Sequence, residues 1–325
     1  MRPGLPALLG LAVCALFPAE QGFAQSVGVL NTEAPVERII QSEAGGAYVQ
    51  AGGRYYAVGA CDMQPGLCLT PAQHAPTEME SAPASGLPDG QVAVAETGDI
   101  RRAWYARPTD RYAHGVLGDA IEGGSLIIVS AEGRQSELVL PDSMVFEDLT
   151  PRIADLDGDG TNEVIAIRSS KSGGAAIALY GIATGRLVEL AASSENGRAN
   201  RWLNIAGFVP RPDGGLTVYG VRTPHINGRL FSLALRGGTL VESNDIAADV
   251  SNHMIGSREL GLSVVGDFGG ELDLILPSQN HQRLRFPLSG RADIVLPGVI
   301  DKAIAIVDGV ILTSTDDGAL IAVSP

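Results

Sequence analysis

The stretch RIADLDGDGTNEVIAI, residues 152–167, decides the fold of this chain. It places Asp155, Asp157 and Asp159 at alternate positions, a glycine after them, and Glu163 eight residues after the first aspartate. Oxygen ligands gathered in this way are those that Ca²⁺ prefers, and a glycine permits the sharp turn that directs them inward. Apolar, strand-like residues stand on either side. The stretch therefore predicts a calcium loop between two β-strands.

The spacing argues against an EF-hand and against magnesium. An EF-hand needs helical flanks and a bidentate acid at its twelfth position, where this chain has Ala166. Mg²⁺ keeps several of its waters, so a loop rich in protein carboxylates favours Ca²⁺. Carboxylates within about 5 Å repel by roughly 3 kcal/mol per pair at an effective dielectric near 20. Without a cation the loop is expected to open or take up protons; a solvated acidic turn is the alternative.

Glycine pairs separate short strand-like runs along the whole chain. Gly-Gly between apolar runs is a hairpin signal, because both turn residues can take a positive φ. The pairs are Gly45-Gly46, Gly52-Gly53, Gly123-Gly124, Gly173-Gly174, Gly214-Gly215, Gly237-Gly238 and Gly269-Gly270. Leu284, Phe286 and Leu288 alternate with polar residues or proline, which is the period of a half-buried strand. These features, without any helical stripe, predict an all-β protein.

A weak internal repeat extends the prediction from this loop to the architecture of the whole chain. Units that begin near Ile153, Ile205 and Val264 each supply about four short strands over roughly 40–60 residues, as propeller blades do. Residues 25–325 would hold about six or seven such blades in one domain. Residues 26–31 are expected to pair with residues 319–324, which closes the ring and leaves few exposed edges. The prediction is a β-propeller of four-stranded blades.

Residues 71–90 interrupt this pattern. They contain Pro71, Pro76, Pro83 and Pro88 together with several Ala, Ser and Glu residues. Such a composition predicts an irregular surface insertion. The segment is too short to form a second domain.

At this point the loop resembles a known family. Asp155-x-Asp157-x-Asp159-Gly-x-x-Glu163 between strands is similar to the calcium loop of FG-GAP/VCBS repeat β-propellers, the repeat type of integrin α-chain heads. The resemblance implies that the three aspartates and Glu163 bind Ca²⁺ through their side chains. Thr161 would offer its backbone carbonyl.

The match covers residues 152–168, and the motif is degraded elsewhere. The segment 267–273 keeps two acids in a shorter spacing, and the segment 210–215 keeps only Asp213, so no metal is assigned to either. The closest picture is a bacterial exported VCBS-repeat protein whose other blades have lost their ions. Most families of this type have no assigned activity, so the resemblance implies a fold more readily than a function.

The N-terminus has the pattern of a secretory signal. Residues 1–24 combine Arg2, an apolar segment shorter than the roughly 20 residues that span a bilayer, and small residues before a cut near Ala24. The mature chain is therefore expected in the periplasm or outside the cell. Cys14 lies in a loose imitation of a lipid-attachment box, so a lipoprotein is the alternative.

Two cysteines, Cys61 and Cys68, lie close together in the mature chain. In an oxidising compartment they are expected to form a local disulfide, which stabilises by roughly 2–3 kcal/mol in the chain-entropy model. A zinc site would need two more ligands nearby, and the sequence shows none.

The formal net charge of −14 excludes one class of partner. An acidic chain repels phosphate backbones, and the sequence has no basic patch, so we do not expect nucleic-acid binding. No apolar run after the signal is long enough for a transmembrane helix. We expect a monomer.

The sequence lacks the usual signatures of catalysis, such as Gly-x-Ser-x-Gly, His-Glu-x-x-His or a phosphate-binding glycine loop. Polar segments between strands recur about once per blade, and such loops converge on one face of a propeller. The candidate ligand-binding residues in them are His114, Glu147, Asp148, Arg201, Trp202, His225 and His253. The alternative is that these side chains tie neighbouring blades together.

Two functions follow from this reading. The first is an exported, calcium-stabilised, non-catalytic propeller that binds a protein or cell-surface ligand through its loop face. The second is a glycan-directed hydrolase or lyase with its site at the axial mouth. Convergence of His114, His225 and His253 with Glu147 or Asp148 in one deep pocket would favour the enzyme. Isolated burial or spread around the rim would favour binding or scaffolding.

Overall fold

The computed structural model describes residues 25–42, 46–63 and 65–325, which contain 25 β-strands and no α-helix. The first twelve strands are β1 Ser26–Leu30, β2 Val36–Gln41, β3 Ala47–Ala51, β4 Arg54–Ala60, β5 Leu67–Pro71, β6 Ala93–Val94, β7 Ile100–Thr109, β8 Glu122–Ser130, β9 Gln135–Val139, β10 Met144–Phe146, β11 Arg152–Ala154 and β12 Glu163–Ser170. The others are β13 Gly174–Ala183, β14 Arg186–Ala192, β15 Leu203–Pro210, β16 Leu216–Arg222, β17 Arg229–Arg236, β18 Thr239–Ala248, β19 Val264–Asp267, β20 Leu272–Pro277, β21 Arg283–Arg285, β22 Ile294–Val295, β23 Ala305–Val307, β24 Val310–Ser314 and β25 Leu320–Ser324. The predicted signal segment and Cys14 lie outside the described residues.

The strands form antiparallel sheets that follow the chain in sets of four. Four sheets have four strands each, in the orders β2-β3-β4-β5, β15-β16-β17-β18, β19-β20-β21-β22 and β1-β25-β24-β23. A nine-stranded sheet holds two further meanders, β6 to β9 and β11 to β14, which β10 joins by pairing with both β8 and β12. The all-β propeller prediction is confirmed, whereas the number of blades stays a prediction.

The two ends of the chain close the ring. Strand β1 pairs with β25 in antiparallel register from Ser26 opposite Ser324 to Leu30 opposite Leu320. The last sheet is therefore built from both termini, as predicted. This pairing covers an edge of β25 that would otherwise be open to another chain.

Glycine pairs build several of the hairpins, as the sequence predicts. Gly52 and Gly53, between β3 and β4, have φ values of 56° and 70°. A two-residue turn with positive φ at both positions matches the twist of the strands that it joins.

One predicted hairpin is wrong. Gly123 and Gly124 lie inside β8 rather than in a turn. A Cβ at Gly123 would stand 3.0 Å from the Cβ of Tyr105, and one at Gly124 would stand 2.9 Å from the carbonyl oxygen of Arg107. These glycines therefore allow a close approach of β8 to β7, which the sequence alone cannot distinguish from a turn.

The core lies between neighbouring blades. Ile165 and Ile167 of β12 pack with residues of the following sheet, whereas Val164 and Ala166 pack with residues of the preceding meander, β6 to β9. Alternate side chains of a strand point to opposite faces of its sheet. Because both faces of β12 are covered, its run from Val164 to Ile167 is continuously apolar.

Cys61 and Cys68 form the predicted disulfide, with 5.8 Å between their Cα atoms. It closes the loop between β4 and β5. That loop packs on the ring-closing strands, because the hydroxyl of Ser324 donates to the Pro65 carbonyl at 2.6 Å and a Cβ at Gly28 would stand 2.9 Å from the Pro65 ring. The disulfide loop therefore links the first sheet to the last.

The segment between β5 and β6 contains no regular strand. Isolated bridges join Ser81 to Gln91 and Gly86 to Ala106, and Leu87 is buried. Within the described residues, no helix has the length and apolar character needed to cross a membrane.

Candidate functional site

The acidic loop connects β11 to β12 and brings its aspartates together. Oxygens of Asp155, Asp157 and Asp159 all lie within 4.8 Å of one another. The Asp155 carboxylate accepts backbone N–H groups of Gly158 and Gly160 at 2.7 and 2.8 Å, which holds the turn. Three aspartates of the predicted calcium set are therefore arranged as a group that can hold a cation.

The partners of the remaining oxygens test whether a cation fits. The Oδ1 atom of Asp157 is buried and has no hydrogen-bond partner. A buried carboxylate oxygen without a donor is destabilising, and a cation would remove that cost. The donor set consists of oxygens alone, as Ca²⁺ prefers. The three aspartates thus fit the predicted ion.

The other two predicted ligands have additional partners. Glu163 accepts the N–H of Leu156 at 2.9 Å, and burial raises the pKa of its carboxyl to about 7. Thr161 donates its N–H and its hydroxyl to Asp159 at 2.8 and 2.7 Å, which lowers the pKa of that aspartate. Glu163 does not join the group of three aspartates, and the role of both residues as ligands stays a prediction.

The degraded sister loops have local partners instead. Asp213 accepts from the guanidinium of Arg211 at 2.8 Å, and Asp267 accepts the N–H of Gly270 at 2.9 Å. Among the described residues, the three aspartates form the one group of three or more potential metal ligands.

The candidate loop-face residues are not spread around the rim. Five of them form one connected group, which we call the histidine–tryptophan cluster: His114, Glu147, Trp202, His225 and His253. Glu147 and His253 are essentially inaccessible to solvent, Trp202 is buried, and His114 and His225 are half-buried.

Glu147 connects the first half of the cluster. One carboxylate oxygen lies 2.5 Å from Nδ1 of His114, and the other accepts the hydroxyl of Ser169. Its backbone carbonyl accepts the indole N–H of Trp202 at 3.0 Å. The chain segments before β11 and β15 are thereby joined.

Stacking and hydrogen bonds connect the second half. The ring of Trp202 lies parallel to that of His225 at 5.9 Å and meets that of His253 at 4.7 Å, edge to face. Nε2 of His253 lies 2.9 Å from the Ser257 carbonyl, so this nitrogen carries the proton. His225 must then donate from Nε2 to Nδ1 of His253, at 2.8 Å. Burial lowers the pKa of both imidazoles to about 4, which keeps them neutral.

Two predicted residues stand outside the cluster. Asp148 is buried and forms an ion pair with Arg152, and desolvation raises its pKa. The side chain of Arg201 is exposed. Most of these groups are thus bonded to one another, which agrees with the alternative that they tie blades together.

Sequence reasoning missed a large cleft. A cleft of about 1220 Å³ opens beside the cluster, and Ser257, the acceptor of His253, lines it. Its walls come from β2, Tyr48, residues 76–79, Asp89, Gln91, residues 149–150, residues 257–261, Asp301 and Lys302. Residues 149–150 precede β11, residues 257–261 precede β19, and Asp301 and Lys302 precede β23. Their position ahead of the first strand of a four-stranded unit was the signal available in the sequence.

Charges of both signs line the cleft. Arg38 pairs with Glu78 at 2.7 Å, Arg258 with Asp89 at 2.7 Å, and Lys302 with Asp301 at 2.5 Å. The Arg38–Glu78 pair connects β2 with residues 76–79.

The fold and the site define a β-propeller in which the acidic loop follows β11 and the charged cleft is lined by residues 149–150, just before β11. No protein-family description and no curated protein matches the chain. Among solved structures, the chain is similar to a streptogramin B lyase, with 13% identity, a TM-score of 0.46, and 92% of this chain and 97% of that one covered.

Two further solved structures have the same kind of likeness. For BamB from Moraxella catarrhalis the identity is 11% and the TM-score 0.29, with 93% of this chain and 98% of that one covered. For AofleA from Arthrobotrys oligospora the values are 10% and 0.38, with 94% and 87% covered. Similarity at this level carries no argument about activity, so function has to be argued from the site.

Proposed function

We propose that this chain is an exported, calcium-stabilised, non-catalytic β-propeller of the FG-GAP/VCBS type that binds a protein or cell-surface ligand through its loop face. The cleft carries the proposal, because it is a large concave surface and adjoins the convergent loops. The acid–base groups of the histidine–tryptophan cluster are mostly buried and bonded to one another, which favours a supporting role.

Photo-cross-linking in the native envelope tests the binding face. A photoreactive amino acid replaces Gln91, which lines the cleft, and in a matched variant it replaces Asp213, which is exposed on the β15–β16 hairpin. Gln91 is expected to yield adducts that Asp213 does not. Identical adduct patterns from both positions would refute a specific face.

Calcium has a structural role in this proposal. Asp155, Asp157 and Asp159 would hold the ion, whose charge offsets their mutual repulsion and engages the orphaned oxygen of Asp157. Thermal unfolding in Ca²⁺ and in chelator tests this role. We expect a lower melting temperature in chelator, and an unchanged temperature would contradict the assignment. The Cys61–Cys68 disulfide supports export to an oxidising compartment.

The glycan-directed hydrolase or lyase remains the second candidate for one reason. His114, His225 and His253 converge with Glu147 in one cluster, and His114 and His225 are accessible in part. Incubation with a panel of envelope polysaccharides, with product release measured against His114→Ala, tests it. Release that depends on His114 would favour this candidate over the first.

A further inference from the structure

The cleft has more carboxylates than cations. Its charged wall residues are Glu37, Arg38, Glu78, Asp89, Arg258, Glu259, Asp301 and Lys302. Each of the three cations already has a carboxylate partner from this chain. The surplus consists of Glu37 and Glu259, which form no ion pair in the described part of the chain.

One carboxylate in the cleft has an oxygen without a partner, and a second lacks a cationic partner. The Oδ1 atom of Asp301 is buried without a hydrogen-bond donor, although Lys302 holds its other oxygen at 2.5 Å. Glu259 is largely desolvated, which raises its pKa; it accepts the backbone N–H of Gly261 at 2.8 Å and interacts with the backbone of Ala303, but it forms no ion pair in the described part of the chain. The segments of these two residues are adjacent, because Ile304 donates its N–H to the Gly261 carbonyl. A cationic group placed between them would donate to the orphaned oxygen of Asp301 and pair with the charge of Glu259.

The volume of the cleft and the strand edge in its wall point to an extended ligand. Its volume of about 1220 Å³ exceeds the roughly 300–1,000 Å³ of usual small-molecule pockets. Strand β2, residues 37–41 of which line the cleft, pairs with β3 and with no other strand among the described residues. Its two ends have partners: the Val36 N–H donates to the Gly318 carbonyl at 3.0 Å, and the Gln41 side chain exchanges two hydrogen bonds of 3.3 Å with the backbone of Ile306. An unpaired strand edge is a site at which an extended peptide can add main-chain hydrogen bonds.

We propose that the cleft binds an extended peptide segment that carries Lys or Arg, with its backbone along the free edge of β2 and a cationic side chain between Glu259 and Asp301. The aliphatic stem of that side chain would lie on Leu260, which also lines the cleft. This inference rests on the proposed binding function and names its ligand class.

Binding of a synthetic peptide tests the inference. The probe is a fluorescent peptide of alternating Lys and Ala, measured by anisotropy with the full chain. We expect binding that weakens with salt, about tenfold weaker binding to Glu259→Gln or Asp301→Asn, and wild-type affinity for Glu132→Gln, a surface variant with the same charge change. An equal loss of affinity in all three variants would show that net charge alone explains the effect, and it would overturn the proposal.

Modified probes separate the contribution of backbone hydrogen bonds to binding from the contribution of charge. A peptide N-methylated at alternate residues is expected to lose most of its affinity, and spermidine is expected not to compete at concentrations at which the peptide does. Equal affinity of the methylated peptide, or full competition by spermidine, would overturn strand addition.

The outcomes also distinguish this inference from the binding function itself. Cross-linking from Gln91 without any binding of the Lys peptide would refute only the ligand class. Peptide binding that survives Glu259→Gln and Asp301→Asn unchanged would refute the cleft as its site.

Discussion

Removing the Cys61–Cys68 disulfide is expected to weaken ring closure as well as the loop that it closes. The loop belongs to the first sheet but contacts the last, through the hydrogen bond from Ser324 to Pro65 and the packing of Pro65 on Gly28. When the disulfide is absent, the loop gains freedom, and these contacts with the closing strands become less populated.

The expected loss of unfolding free energy follows from the size of the loop that the disulfide closes. For about eight residues the chain-entropy expression gives about 2.5 kcal/mol at 25 °C. A propeller of about 300 residues has an unfolding entropy near 0.6 kcal/mol/K, so this loss corresponds to a fall of about 4 °C in Tm. Loss of the Ser324 hydrogen bond alone is expected to cost about 1 kcal/mol, or about 2 °C.

Calorimetry of a double-mutant cycle measures the link between the two features. The variants are Cys61→Ser/Cys68→Ser, Ser324→Ala and their combination. Because the disulfide holds Pro65 against Ser324, Ser324→Ala should cost less in the cysteine-free background than in the wild-type chain. Ser232→Ala, at a strand serine outside this contact, should have the same small effect in both backgrounds.

Two results would refute this reasoning. A Tm that changes by less than about 1 °C without the disulfide would show that the loop contributes little to stability. A cost of Ser324→Ala that is equal in both backgrounds would show that the loop remains seated on the closing strands without its disulfide.

Three further predictions concern the loop, the cluster and a buried glycine. Asp157→Asn should abolish the rise in Tm that Ca²⁺ produces, whereas Asp213→Asn in the sister loop should retain it. Burial lowers the pKa of His225 to about 4, below the value near 6.5 of an unfolded histidine. The unfolded state therefore takes up the proton first, so the contribution of His225 to stability is complete above pH 6.5 and declines as the pH falls to about 4. A Phe at position 225 keeps the stack on tryptophan and should flatten this part of the Tm–pH curve; an unchanged curve would contradict it. Gly228→Ala should destabilise by more than about 2 kcal/mol in chemical unfolding, because its Cβ would overlap the Val250 carbonyl oxygen. Gly59→Ala, where a Cβ meets no atom within 4 Å, should be nearly neutral.

Local signals in the sequence predicted most of the fold. The glycine pair at 52–53 and the acidic loop after Ala154 each act within a few residues, and the structure has a turn at both places. Ring closure involves distant segments, yet it was predictable because a propeller leaves one edge to be covered and the N-terminal residues have strand character.

The site was harder to predict because its parts are far apart in the sequence. The cleft combines Arg38 with Glu78, Arg258 with Asp89, and Glu259 with Asp301, and none of these pairs is marked by local spacing. The histidines were recognisable as loop residues, but the burial of His225 and His253 depends on Trp202, whose ring packs against both.

The position of the acidic loop limits what calcium can control. Thr150 lines the cleft and Asp155 begins the loop, with strand β11 between them. Five residues of extended chain span up to about 16 Å, and none of the three aspartates lines the cleft. Ca²⁺ should therefore raise Tm without changing the affinity of the cleft for the Lys peptide. Anisotropy titrations in Ca²⁺ and in chelator, at a temperature well below both melting transitions, measure this directly. An affinity that falls more than threefold in chelator would show that the loop and the cleft are coupled through β11, and calcium would then regulate binding rather than only stabilise a blade.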